Sequence, residues 1–189
     1  LINRLVAGQV GDDGKLRVIK SFFVKYDRKL EQLCEDFIAY YQYHRRHQVI
    51  FYYDSTFIKQ DYGSSQNRNF AGIIKSCLRR HQWSVREKYI GNPMGHVEKN
   101  ELINRMFQGR ARHQVLINRD NNPDLLISIQ SAGVRNGKKD KSGEKLAETE
   151  EDRLEARTDG SDAFDTLCIG VENFSVGWGR GGQSIDYPT

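Results

Sequence analysis

Short apolar runs alternate with amphipathic stretches along the first part of the chain. Two β-rich runs, residues 2–10 and 16–24, flank a turn of two glycines and two aspartates, so we expect an antiparallel hairpin. The next stretch predicts a helix, with Asp27 as its N-cap and an end in residues 44–47. The continuous apolar run 49–53 then predicts a central strand buried on both faces.

The remaining pattern continues the alternation of strands and helices. It predicts helices over 70–81, 97–107 and 124–134, and strands over 83–90 and 115–117. Residues 135–160 lose the pattern and predict a charged loop or hairpin, before a final helix over 162–171 capped by Ser161. Strands separated by helices are normally parallel, so the predicted fold class is α/β, a mixed sheet with helices on both faces.

Length and composition set the domain organisation. A chain of 189 residues with 38% hydrophobic content can bury a core, so residues 1–176 are interpreted as one domain, followed by a Gly-rich tail over 177–189. No apolar run approaches the roughly 20 residues of a spanning helix, so we expect no membrane partner and a cytosolic location. Three well-separated cysteines in apolar stretches are interpreted as reduced core residues: Cys34, Cys77 and Cys168.

The charge is unevenly distributed. Residues 148–165 contain eight acids and two arginines, whereas the rest of the chain contains 27 basic and 17 acidic residues. A basic body with one acidic segment fits a protein that holds a polyanion near a cation-binding site. A solvated acidic loop on an ordinary basic protein is the simpler alternative.

Acidic residues at two places could hold that cation. Asp54 follows the predicted central strand, where ligands gather in α/β sheets, although such an Asp commonly caps a turn. Asp159, Asp162 and Asp165 recur at spacings of three around the start of the final helix, where acids also favour the helix dipole. Acids on a strand end and a nearby helix can hold two Mg²⁺ or Mn²⁺ ions roughly 4 Å apart for phosphodiester cleavage.

Three segments in this order carry a resemblance to a known family. They are the apolar strand ending in Asp54-Ser55-Thr56, the loop at residues 139–145, and the acidic segment at residues 157–165. Together with the opening hairpin, they resemble the nuclease domain of the large terminase subunit of tailed bacteriophages, which has a ribonuclease H-like fold. The resemblance covers nearly all of residues 2–174.

The resemblance implies a metal-dependent endonuclease that cuts concatemeric double-stranded DNA during packaging in a bacterial host cell. Asp54 and Asp162 match two of the three acids of the family, Asp159 matches a position often held by His or Asp, and Asp165 is an alternative ligand. The third acid lies on a strand expected upstream of Leu1. Implied partners are an upstream ATPase motor domain, the portal and procapsid, and the small terminase subunit.

A basic loop precedes the acidic helix and is predicted to contact DNA phosphates. Its five cations fall within eleven residues: Arg135, Lys138, Lys139, Lys141 and Lys145. The glycines and lysines of this loop do not have the spacing of a P-loop, so ATP hydrolysis is not predicted. Two alternatives remain: a junction resolvase or transposase-like nuclease of the same fold, and a non-catalytic nucleic-acid- or portal-binding module.

Overall fold

The computed structural model describes residues 3–25, 29–58, 69–92, 94–135, 138–140 and 158–174. Seven strands occur in this part of the chain: β1 (Asn3–Val10), β2 (Leu16–Val24), β3 (Gln48–Tyr53), β4 (Ser84–Tyr89), β5 (Val115–Ile117), β6 (Val134–Arg135) and β7 (Lys138–Lys139). Five helices accompany them: α1 (Leu30–Tyr40), α2 (Phe70–Arg80), α3 (His96–Phe107), α4 (Pro123–Ser131) and α5 (Asp159–Asn173).

The strands form separate small sheets. β2 pairs antiparallel with β1 and parallel with β5, so the predicted hairpin and a mixed sheet are both confirmed. β3 pairs parallel with β4 in a second sheet, and β6 and β7 form a short antiparallel hairpin. The prediction that β3 is a central strand buried on both faces is wrong, because its only strand neighbour among the described residues is β4 and none of its six residues is fully buried.

A β-bulge in β2 changes which face of the sheet its even-numbered side chains point to. Ala7 pairs with Lys20 but Gly8 pairs with Val18, so Ile19 is the extra residue. An extra residue reverses the alternation of side chains across a strand. Even-numbered residues of β2 therefore enter one core before the bulge and the other core after it.

Helices cover the sheets from two sides. Side chains of α1, α2 and the second half of β2 form one core, centred on Leu33, Ile74 and Trp83. Side chains of α3, α4, α5 and the first half of β2 form the other core, which contains Leu125 and Phe164. The fold is therefore mixed α/β. The three cysteines are free and buried, as predicted.

Some element boundaries differ from the prediction. α5 begins at Asp159 because the Thr158 carbonyl already accepts a hydrogen bond from the Asp162 N–H at 2.8 Å. Ser161 is thus inside the first turn, not the N-cap. α1 begins at Leu30 and ends at Tyr40, whereas Asp27, its predicted cap, lies outside the described residues. None of the helices described is both long and apolar enough to cross a membrane.

Candidate functional site

An elongated cavity of about 590 Å³ runs along β1 and β3. All eight residues of β1 and all six residues of β3 line it. Its walls also include side chains from α1 and α2 on one side, and from α5 on the other. The cavity therefore borders both strands and helices from both cores. We call it the β1–β3 cavity.

Three of the predicted site residues line this cavity: Asp54, Asp159 and Asp162. Asp54 follows the end of β3, and the other two lie in the first turn of α5. The structure therefore brings acids more than 100 positions apart to one cavity. The cavity extends along the whole of β1 and β3. Two residues can therefore both line it without their carboxylates being in contact.

The contacts of Asp54 are local. Its Oδ1 accepts hydrogen bonds from the Thr56 backbone N–H at 2.9 Å and from Thr56 Oγ1 at 2.5 Å. Its backbone carbonyl accepts from the Phe57 N–H at 3.2 Å. This is an Asx-turn, in which a short acidic side chain supports the backbone that follows it. Asp54 therefore caps the turn that follows β3, which is the simpler role that the sequence allowed for it.

The carboxylates of α5 are held by sequence-distant lysines. Lys139 Nζ lies 2.8 Å from both Asp162 Oδ1 and Asp165 Oδ2, and it donates to Ser161 Oγ at 2.6 Å. Lys99 Nζ, from α3, lies 3.0 Å from Asp165 Oδ2. Two ammonium groups and two carboxylates form this aspartate–lysine cluster: Lys99, Lys139, Asp162 and Asp165.

Burial differs within the aspartate–lysine cluster. The side chains of Lys139 and Asp165 are 7% and 10% exposed, whereas that of Asp162 is 39% exposed. Buried charges persist only when they are paired, so Asp165 and the two lysines depend on one another. Asp162 is the member that combines an ion pair with access to solvent.

Lys99 is the cluster member that sequence reasoning missed. It lies three, four and seven positions before the apolar residues Leu102, Ile103 and Met106, which places it on the buried face of α3. A lysine on the apolar face of a helix is a signal for a buried acidic partner. That signal could have been read from the sequence, but it does not identify the partner.

The predicted basic loop is only partly described. Lys139 faces α5 and its ammonium group is buried in the cluster, so it presents no charge to solvent in this structure. Arg135 is exposed at the end of β6, and Lys138 begins β7. Lys141 and Lys145 lie outside the described residues.

The carboxylates at the β1–β3 cavity are chemically suited to bind a hard divalent cation. Carboxylate oxygens are the ligands that Mg²⁺ and Mn²⁺ prefer, and Asp54, Asp159 and Asp162 supply them at the β1–β3 cavity. In the part of the chain that the structure describes, no three His, Cys, Asp or Glu side chains are grouped closely enough to hold a metal ion. Asp165 is already neutralised by two lysines, so we assign it to ion pairing.

Comparisons with known proteins return no match to a family model, to a curated protein or to a solved structure. The resemblance to terminase nucleases therefore stays a prediction based on the motifs of this chain.

Proposed function

We propose that the protein is a divalent-metal-dependent DNA endonuclease with a ribonuclease H-like fold. The observation that carries the proposal is that Asp54, Asp159 and Asp162 line one cavity. The mixed α/β architecture with helices on both faces is compatible with such a fold. Its role would be to cut concatemeric double-stranded DNA during packaging in a bacterial host, together with an ATPase motor, the small terminase subunit and the portal.

In this proposal the carboxylates of Asp54 and Asp162 hold Mg²⁺ or Mn²⁺, with Asp159 as a further ligand. Such ions, if bound there, would supply activation of a water and stabilisation of the leaving oxygen of the phosphodiester. Lys139 orients the Asp162 carboxylate through its 2.8 Å ion pair. The exposed Arg135 supplies one cation for the DNA backbone, and backbone contacts of this kind do not read sequence.

Cleavage of supercoiled plasmid in Mn²⁺ tests the proposal, in a protein extended by the strand that the resemblance implies for the third acid. Asp54→Asn and Asp162→Asn should each abolish cleavage, because the neutral amide lacks the negative charge that a carboxylate contributes to binding a hard divalent cation. Asp13→Asn is the matched control, since Asp13 is an exposed acid that pairs with Arg17 in the β1–β2 turn. Undiminished cleavage by either site variant would refute the assigned roles.

Metal binding gives a second readout that does not need turnover. If the site binds Mn²⁺, a concentration 100-fold above the dissociation constant should stabilise the protein by about 2.7 kcal/mol. We expect this stabilisation to be lost in Asp162→Asn and kept in Asp13→Asn. Absence of both cleavage and metal-induced stabilisation in the extended protein without substitutions would contradict the endonuclease proposal.

A non-catalytic nucleic-acid- or portal-binding module is the second candidate. The Asx-turn of Asp54 and the lysine partners of Asp162 favour it, because these acids already have structural partners. It predicts that Mn²⁺ has no effect on stability and that both site variants bind DNA normally. The two candidates are therefore separated by the same variants.

A further inference from the structure

Two loops lie side by side where β3 and β4 begin. The Ser84 N–H donates a 2.8 Å hydrogen bond to the His47 carbonyl, and Ser84 is the register partner of Gln48. The His47 ring stacks on Trp83, with 4.8 Å between the ring centroids and 17° between the ring planes. The loop between α1 and β3 therefore packs against the loop between α2 and β4. This edge of the sheet is at the opposite end of β3 from Asp54, about 20 Å away along the strand.

Positive charge is concentrated around these two loops. Residues 37–53 and 69–86, which contain both loops, include no Asp or Glu but six Lys or Arg residues. Trp83 lines the β1–β3 cavity together with Arg46, and it lines a separate open pocket of about 450 Å³ together with Arg79. Trp83 therefore borders two concave spaces with an arginine in each.

A role in stabilising the fold accounts for only one of the exposed arginines here. Arg45, Arg46 and Arg79 are exposed, and none of them forms an ion pair within the described residues. Arg79 is in the last turn of α2, where the helix dipole favours a cation. Arg45 and Arg46 lie beyond the reach of the α1 dipole, because α1 ends at Tyr40. Like charges gathered in this way repel one another, and a bound polyanion relieves the repulsion.

An exposed aromatic ring lies beside these arginines in the sequence. Tyr43 is 90% exposed and makes no ring contact within the described residues. It precedes Arg45 and Arg46 by two and three positions. We call Tyr43, Arg45, Arg46 and Arg79 the tyrosine–arginine surface.

The combination of a ring and cations favours one kind of polyanion. An aromatic side chain can stack on a base while neighbouring cations bind the phosphates. A duplex keeps its bases stacked on one another, so only a single strand offers a base face to Tyr43. An acidic peptide would pair with the arginines but would leave the tyrosine ring without a stacking partner.

We propose that the tyrosine–arginine surface binds single-stranded DNA, with a base stacked on Tyr43 and phosphates bound by Arg45, Arg46 and Arg79. The preference for a single strand is based on the exposed ring, whereas the choice of DNA over RNA rests on the proposed function. The bound single strand is distinct from the duplex that the proposed cleavage uses. The surface is also remote from the acids of the β1–β3 cavity.

Binding of a fluorescein-labelled oligothymidylate of about 16 nucleotides tests the proposal. Anisotropy is measured in EDTA, so no hydrolysis occurs and failure of the endonuclease proposal would leave the result unaffected. We expect saturable binding to the unmodified protein, weakened about tenfold by Tyr43→Ala. Tyr43→Phe is the matched control and should bind normally, because it keeps a ring for stacking. Absence of saturable binding, or equal affinity of Tyr43→Ala and the unmodified protein, would overturn the proposal.

The salt dependence of binding tests the arginines. Each phosphate contact with a single strand contributes about 0.7 to the slope of log affinity against log salt concentration. A variant that combines Arg45→Gln, Arg46→Gln and Arg79→Gln should therefore lose about 2 from this slope. Arg119→Gln is the control, since Arg119 is an exposed arginine in the turn after β5, which belongs to the other sheet. An unchanged slope in the triple variant, or a decrease of about 0.7 in the control, would contradict the assigned phosphate contacts.

Three further ligands distinguish the other possible occupants. A DNA duplex of the same length should bind Tyr43→Ala and the unmodified protein equally, because it has no free base for stacking. Tighter binding of oligouridylate RNA than of oligothymidylate would identify RNA as the ligand. Displacement of the oligothymidylate by polyglutamate of matched charge, as effectively as by unlabelled oligothymidylate, would identify an acidic protein. Either identification, or a duplex affinity that depends on Tyr43, would overturn the proposal.

Discussion

Two of the predicted acids, Asp54 and Asp165, are held in opposite ways. Asp54 is supported within its own turn, by Thr56 two residues later. Asp165 is supported by lysines from α3 and β7, which are 66 and 26 residues away in sequence. The first arrangement is local and partly exposed, whereas the second is non-local and buried. Asp165 is therefore part of the tertiary structure, while the Asp54 carboxylate is available for another role.

The largest expected effect is at Asp165. Asp165→Asn leaves Lys99 and Lys139 buried with one carboxylate fewer, and breaking a buried ion pair typically costs about 3–5 kcal/mol. Urea denaturation should show a loss of this size in the free energy of unfolding. A loss below about 1 kcal/mol would mean that solvent reaches the aspartate–lysine cluster. Asp165 and Asp54 would then not differ in how strongly the fold depends on them.

Lys99→Met should have an intermediate effect. Methionine keeps most of the aliphatic volume, and Asp165 retains Lys139, so we expect a loss of about 2 kcal/mol, as for a hydrogen bond to a charged group. In a double-mutant cycle with Asp165→Leu, the two losses should not add, because both variants remove the same contact. Additive losses would show that Lys99 and Asp165 act independently.

Asp54→Asn should have a small effect on stability. The amide oxygen can accept the same hydrogen bonds from Thr56, so we expect a change below about 0.5 kcal/mol in urea denaturation. Lost DNA cleavage with unchanged stability would separate a functional role for this carboxylate from its turn-forming role. A loss of several kcal/mol would contradict the local arrangement seen here.

The same comparison explains what sequence patterns could predict. Hairpin chemistry and apolar periodicity predicted β1, β2, β4, β5 and the bounds of α2 and α3 to within one residue, because these depend on nearby residues. The free edge of β3 was missed, since an apolar run does not show which strands lie beside it, and the strand is only partly buried. The same limit applied to the bulge at Ile19, which depends on pairing between two strands.

At the candidate site, the acids were found by their spacing and their lysine partners were not. Asp159, Asp162 and Asp165 recur along one helix, so their common placement is a local property. Lys139 was predicted to face phosphates because a basic loop is normally solvated, yet its ammonium group lies between two carboxylates. Pairing of charges across the fold depends on tertiary packing, which single-sequence patterns do not contain.

The smallest expected effect concerns the wall beside Asp54. Burial raises the pKa of Tyr52 to about 12, so the folded state favours the neutral phenol. The raised pKa stabilises the folded state, because the folded protein holds the phenol proton more tightly than the unfolded chain. This stabilisation is complete below the usual tyrosine pKa of about 10 and is lost as the pH rises towards 12. Tyr52→Phe should therefore make stability less dependent on pH above 10, measured by urea denaturation across that range. Tyr53→Phe is the control, because Tyr53 is the neighbouring strand residue and burial raises its pKa less. An equal change in both variants would show that the β1–β3 cavity does not exclude water from Tyr52.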